Sequence, residues 1–204
     1  MQYLVAAVDK EYNSEARVGM VEALKDVAAL CYESGDDYGT APILAVSDAD
    51  LSTMVACLTN AVTKSVERRT EVGNQFVAAA EGGELDQAAH ESILDALQSE
   101  VDLAEFAVDG LGYLMKARGA AFLPVFQKIE QPVFEPLLRA GGATSNSLRL
   151  NALCVFVDAV EWCGAAAAVY VATILPTIAS CLACDFPDLR QCSAYGLGII
   201  AQVG

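Results

Sequence analysis

Residues Tyr170 to Gly204 hold the stretch that decides the fold: Ile174-Leu175-Pro176, then Asp185-Phe186-Pro187-Asp188, then Leu189-Arg190-Gln191-Cys192-Ser193-Ala194-Tyr195-Gly196-Leu197-Gly198-Ile199-Ile200-Ala201. The apolar spacing predicts one helix up to about Cys184, a tight break at Asp185 to Asp188, and a second helix opening with Leu189-Arg190. Pro176 lies inside the first helix, and Arg190 lies one turn into the second. Two such helices cannot bury both of their apolar faces by themselves. The pair therefore implies a stack, in which each unit closes the core of the next.

The second-helix pattern recurs in Leu148-Arg149-Leu150-Asn151-Ala152-Leu153-Cys154-Val155-Phe156-Val157-Asp158-Ala159-Val160-Glu161-Trp162-Cys163-Gly164. Arg149 precedes Arg190, and Gly164 precedes Gly204, by one repeat period of about 40 residues. Near the N-terminus, Glu15-Ala16-Arg17-Val18-Gly19-Met20-Val21-Glu22-Ala23-Leu24-Lys25-Asp26-Val27 repeats it, with Arg17 and Asp26 spaced as Arg149 and Asp158 are. This period is that of HEAT units, antiparallel pairs of helices A and B. The expected fold is an all-α solenoid of HEAT repeats, in four units over residues 1–35, 48–118, 121–164 and 169–204. The first unit begins mid-helix. The second has helix A from about Ala49 to Phe76 and helix B from about Glu91 to Lys116, or else is an ordinary pair with an acidic loop inserted between Thr70 and Gln98. Pro124, Pro132 and Pro136 break or kink helix A of the third, and Gly141 to Ser147 form its loop. Linkers are expected at 33–39 and 81–84. The first unit lacks most of its helix A and no polar capping repeat closes the C-terminus, so the chain reads as a piece of a longer protein.

Composition narrows the function classes. Of 204 residues 54% are hydrophobic and the net charge is −15, with 27 acidic against 12 basic residues; mean hydropathy is +0.38. That balance argues against nucleic acid, whose binding needs clustered Lys and Arg. It fits basic protein partners, and equally the plain need to keep an apolar chain soluble. The cysteines Cys31, Cys57, Cys154, Cys163, Cys181, Cys184 and Cys192 are odd in number and lie mostly in apolar runs, so they read as buried thiols in a reducing compartment. From Trp162 to Cys184 the chain carries no charge, over a length sufficient to cross a bilayer. Gly164, Pro176 and flanks of Glu161 and Asp185 with no Lys or Arg cluster argue against a span, and the repeat splits the stretch at Gly164.

Candidate chemistry is sparse. Gly196-Leu197-Gly198-Ile199-Ile200-Ala201 matches a loose dinucleotide-binding pattern, but its glycines fall inside a helix instead of opening one, so close helix packing explains them. Cys181-Leu182-Ala183-Cys184 with Cys192 lacks a fourth zinc ligand, since His90, the single histidine, is remote in sequence. His90 itself has no nucleophile at a telling spacing. No catalytic residue, cofactor or metal is expected. Arg17, Arg149 and Arg190 start B helices and are expected to form an arginine–aspartate ladder between units, with Asp188 among its acids. Asn151, Val155, Asp158 and Trp162 share one helix face, and Asp26 and Asp109 take places like that of Asp158. This stripe has two readings. In one, Trp162 is interhelical core and Asp158 accepts an intrachain hydrogen bond. In the other, Asn151, Asp158, Trp162, Asp109 and Asp26 meet a Lys or Arg side chain of a partner, by ion pairing and cation–π contact.

Three segments carry a family resemblance: Ala121-Phe122-Leu123-Pro124-Val125-Phe126, Phe156-Val157-Asp158-Ala159-Val160-Glu161-Trp162-Cys163-Gly164, and Leu189 to Gln202 with its Tyr195-Gly196-Leu197-Gly198 core. The chain resembles the importin-beta (karyopherin-beta) nuclear transport receptors, most nearly the importin-five or beta-three type in its C-terminal half. It departs from them in a milder acidic segment at 71–98 and in Trp162, where the family usually carries Phe. The resemblance implies a receptor shuttling between cytoplasm and nucleus. It would bind protein cargo through basic targeting signals, Phe-Gly nucleoporins, and the Ran GTPase mainly through parts outside this chain. A HEAT scaffold of another kind, for a phosphatase or for trafficking, is the alternative.

Overall fold

In the computed structural model every regular element is helical among the described residues, 2–8, 10–32, 44–82, 86–141 and 145–203. Helices α1 (Gln2–Val8) and α2 (Ser14–Leu30) form the first pair, and α3 (Asp48–Gly82) and α4 (Gln87–Arg118) the second. In the third, α5 (Leu123–Ile129), a π-helical turn (Glu130–Phe134) and α6 (Glu135–Leu138) together make the A element opposite α7 (Asn146–Cys163). The fourth pairs α8 (Val171–Cys181) with α9 (Pro187–Val203). The B helices α2, α4, α7 and α9 each pack on the next and form one continuous layer.

Local chemistry explains the boundaries. The side chain of Asn13 accepts from the Ala16 N–H at 2.9 Å and that of Asp86 from Ala89 at 2.8 Å, satisfying orphan donors at the starts of α2 and α4. Pro187 opens α9, where a missing N–H costs nothing. Pro124 and Pro136 lie in the first turns of α5 and α6, and Pro132 lies in the π-turn between them. Each proline removes a donor from the α-ladder, so the third A helix is broken as its sequence implies.

The second unit resolves the alternative at 71–98. Among the described residues no acidic loop is inserted there: α3 runs to Gly82 and α4 starts at Gln87, so the segment is helical and mostly solvent-exposed. Its acidic residues and glycines suit a loop as well, but long helices can extend beyond the stack when one end is anchored in it. The expected linker at 33–39 and part of that at 81–84 lie outside the described residues.

Gly119 and Gly164 end α4 and α7 with φ of 54° and 62°. Each leads into a 3₁₀ turn, Gly119–Phe122 and Gly164–Tyr170. A side chain there is strained whatever space is available. Gly164→Ala is expected to cost about 1–2 kcal/mol. Gly19→Ala, in an open position on α2, should instead stabilise by about 0.5–1 kcal/mol. Urea melts of the two variants check this, and equal effects would remove the claim that the turn at Gly164 requires glycine. The same turn divides the apolar stretch. Asn146–Cys181 is long and apolar enough to cross a membrane by length and composition, with a mean hydropathy of 1.7 over an 18-residue window, yet 50% of that window is buried within the stack. The expected break at Gly164 is observed.

Aromatic rings seal the third unit against the fourth. Phe126 meets Phe156 and Tyr170 edge-on, with centroids 5.4 and 5.0 Å apart. Phe122, Phe126, Phe134 and Phe156 are fully buried, and each contributes about 1.5–3 kcal/mol of burial. Where α9 crosses, Gly196 allows the close approach expected of it: a Cβ there would lie 2.9 Å from Val157 and 3.2 Å from Ile178. The Sγ atoms of Cys154 and Cys192 are 3.5 Å apart across the same junction. All seven cysteines are free thiols, and Cys31, Cys57, Cys163 and Cys181 are buried.

A buried ionic clasp holds the first two units. Glu100 of α4 takes Arg68 of α3 through both carboxylate oxygens, at 2.6 and 2.9 Å, and Arg17 of α2 at 3.3 Å. Its backbone carbonyl also accepts from Ser65 at 2.6 Å.

Candidate functional site

Along the B layer α4 and α7 run side by side. Asp109, Gly112, Tyr113 and Lys116 have i, i+3, i+4, i+7 spacing and so share one face of α4. Opposite them stand Asp158 and Trp162 of α7. Together the six residues line an open pocket of about 260 Å³. Gly112 leaves room for the carboxylate: a Cβ there would sit 2.5 Å from Oδ2 of Asp158, so a larger residue would turn that carboxylate away from α4.

The acidic groups of the pocket are only partly compensated. Among the described residues Asp158 accepts no hydrogen bond and makes no ion pair. Burial, then the neighbouring charges of Glu161 and Asp109, push its carboxyl from the usual 3.8 up to about 7, while Lys116 pulls it back in part. Asp109 is raised too, by burial, with Lys25 opposing. Lys116 holds its ammonium 4.7 Å above the Trp162 ring and 4.0 Å from that of Tyr32, which follows α2. At the rim, Tyr195 of α9 donates to Glu161 at 2.8 Å, and this hydrogen bond pushes the phenol up to about 12. An unpaired, half-buried carboxylate between an indole and a second carboxylate is suited to one ammonium or guanidinium.

The structure thus brings Asp109, Asp158 and Trp162 together and treats the other two members of the stripe differently. Asp26 is exposed one unit away, paired with Lys25 at 3.3 Å; Lys25 in turn lies 4.7 Å from the Phe106 ring and faces Asp109. Asn151 is only 3% exposed, enclosed where α4 and α9 flank α7, so it is not an accessible contact. Of the two readings of the stripe, Asp158 accepts no hydrogen bond among the described residues, while Trp162 is partly core, packed against the hydrophobic cluster. Gly112, Tyr113, Lys116 and Tyr32 are not singled out by sequence. The α4 spacing is a usable signal for the first three; Tyr32 has none, since it arrives from another unit.

The expected arginine–aspartate ladder does not form among the described residues. Arg17 reaches Glu100 in the next unit. Arg149 donates to Sγ of Cys181 at 2.7 Å and to Ser180, and Arg190 turns back to the carbonyl of Cys184 at 2.7 Å. Asp188 sits exposed in the first turn of α9 with no ion pair among the described residues. Two residues from Arg190, it points to a different side of the helix, and it complements the helix dipole instead. His90 stacks edge-on to Phe76 at 5.6 Å. Cys184 donates to the carbonyl of Phe186. No cluster of three or more potential metal ligands occurs among the described residues.

No family model matches the chain. Among solved structures it is similar to the karyopherin Kap121p bound to the SUMO protease Ulp1p, with a TM-score of 0.69 and 17% identity. The match covers 98% of this chain and 16% of that one. Two multiply substituted mutants of Kap121p match to the same degree. The likeness shows the fold, an all-α solenoid of the kind karyopherins have, and this chain spans 16% of the length of those neighbours.

Proposed function

We propose that the chain is a segment of a nuclear transport receptor of the importin-beta type, and that its B-helix face grips basic side chains of a protein partner. The observation that carries the reading is Asp158, a carboxylate raised to about 7 with no hydrogen bond or ion pair among the described residues, beside Trp162 and Asp109 in an open pocket. An excess of 27 acidic over 12 basic residues draws cationic segments to the same surface. The Kap121p neighbour bound to another protein, Ulp1p, supports the same use of this fold. The role is binding, not catalysis, and it needs no cofactor.

The finer reading extends the resemblance of the closing helix pair. This segment belongs to the C-terminal half of a receptor of the importin-five type, which shuttles between cytoplasm and nucleus. The receptor binds cargo through basic targeting signals and Phe-Gly nucleoporins through outer helices. Ran is bound mainly by parts outside these residues. Purified full-length protein should bind a Lys-rich targeting peptide, Phe-Gly repeats and GTP-loaded Ran in pull-downs. Failure of all three would leave a HEAT scaffold of another kind, with a phosphatase or trafficking partner.

A further inference from the structure

We infer that the ammonium of Lys116 is a built-in stand-in for the partner's basic side chain, filling the aromatic part of the pocket until an incoming lysine displaces it. The inference rests on the binding reading above and adds a competitor to it. Tyr32, at the end of the first unit, and Trp162, in the third, place their rings 4.0 and 4.7 Å from one ammonium carried by the second. Two ring faces around a single nitrogen form a cation clamp assembled from three successive repeats.

Lys116 fills the clamp loosely. Among the described residues it has no ion pair, and its neighbours Asp109 and Asp158 stay without one. Lys25 shows the contrast: it rests on one ring, that of Phe106, and is ion-paired to Asp26 at 3.3 Å. A lysine held only by ring faces on a flexible four-carbon stem exchanges readily. An incoming lysine would gain both the rings and the unpaired carboxylate of Asp158, a combination Lys116 does not make. Ring faces beside carboxylates favour cations, and no set of potential ligands for a metal ion is present among the described residues, so the ligand is an organic cation, the side chain of a basic peptide.

Trp162 is the single tryptophan of the chain, so its fluorescence reports on the clamp directly. A Lys-rich peptide is titrated against the wild-type chain, Lys116→Met and Lys25→Met, following Trp162 emission and peptide anisotropy. Lys116→Met should bind about tenfold tighter than wild type, the worth of a desolvated cation–π contact. Lys25→Met removes the same charge from the same face and should stay within about twofold. Lys116→Gln, which keeps a polar stem, should tighten binding equally and serves if the methionine variant misfolds by circular dichroism. Equal affinities for Lys116→Met and Lys25→Met would overturn the stand-in and leave the binding reading intact. No binding by any variant, with Trp162 emission unchanged, would overturn both. A loss of stability on removing Lys116, with no gain in affinity, would make it a structural tie between repeats.

Discussion

Asp158→Asn is expected to make the chain more stable at pH 8 and at the same time to weaken its grip on a Lys-rich peptide about thirtyfold. The stability half follows from the raised carboxyl. In the folded chain it titrates at about 7 instead of 3.8. A group raised on folding contributes fully below its unfolded value, and that contribution is lost as pH rises through the folded one. Above pH 7 the chain therefore carries a charged, half-buried carboxylate that has no hydrogen bond or ion pair among the described residues. Asparagine has the same shape and does not titrate. Each unit is worth about 1.4 kcal/mol, and solvent screening brings the total to about 2 kcal/mol. The gain should be near zero at pH 4, grow towards pH 7 and level off above it, as read from urea melts across that range.

The binding half has the opposite sign. A partner's ammonium supplies the counter-charge that the fold withholds, and truncating one side of such a pair costs at least about 2 kcal/mol, which is about thirtyfold. Peptide affinity of the wild type should rise between pH 6 and 8 as Asp158 loses its proton, and this rise should vanish in the asparagine variant. A residue kept at a cost to stability and needed for binding has a function outside the fold. If the variant is less stable at pH 8, Asp158 is structural. If stability rises and affinity is unchanged, the partner docks elsewhere.

Glu100→Ala should be the most destabilising single change at the ion pairs of the chain, costing about 3 kcal/mol. Glu100 is 7% exposed at its side chain and neutralises Arg68 and Arg17, which are 27% and 14% exposed. Removing the carboxylate leaves two guanidinium groups facing each other, a penalty larger than the worth of the hydrogen bonds themselves. The pKa of Arg17, lowered by burial and further by Arg68, shows that strain already present. A triple variant, Glu100→Leu with Arg17→Leu and Arg68→Met, should recover most of the loss, since no unpaired charge remains. Chemical denaturation measures both. A loss under about 0.5 kcal/mol for Glu100→Ala would place the clasp among ordinary surface pairs.

The two sites differ in how they could be read. The helix pairs, the break at Gly164 and the kinked third A element follow from residues within a turn or two of one another. So does the grouping of Asp158 with Trp162. The break expected at Asp185 to Asp188 falls earlier, at 182–186, with Pro187 and Asp188 already in α9. The exposed segment at 71–98 is ambiguous in sequence because its polar residues suit a loop and a solvent-surrounded helix equally. The clasp is not visible there at all: Arg17 and Glu100 are 83 residues apart, and its place in the repeat matches Arg17 to an aspartate instead. Repeat position predicts where a side chain starts. It does not predict which neighbour comes within reach.

Sequence by itself determined the all-α stack of helix pairs and the acidic excess, because caps, prolines, glycines and apolar period act over short range. Tertiary structure alone decided which members of the stripe are usable. Asn151 and Asp158 are two turns apart on one face of α7. The first is buried, and the second lies in an open pocket, its carboxylate against Gly112. Burial of a helix face depends on the distance and register of flanking helices, and those are set by packing between units far apart in the chain.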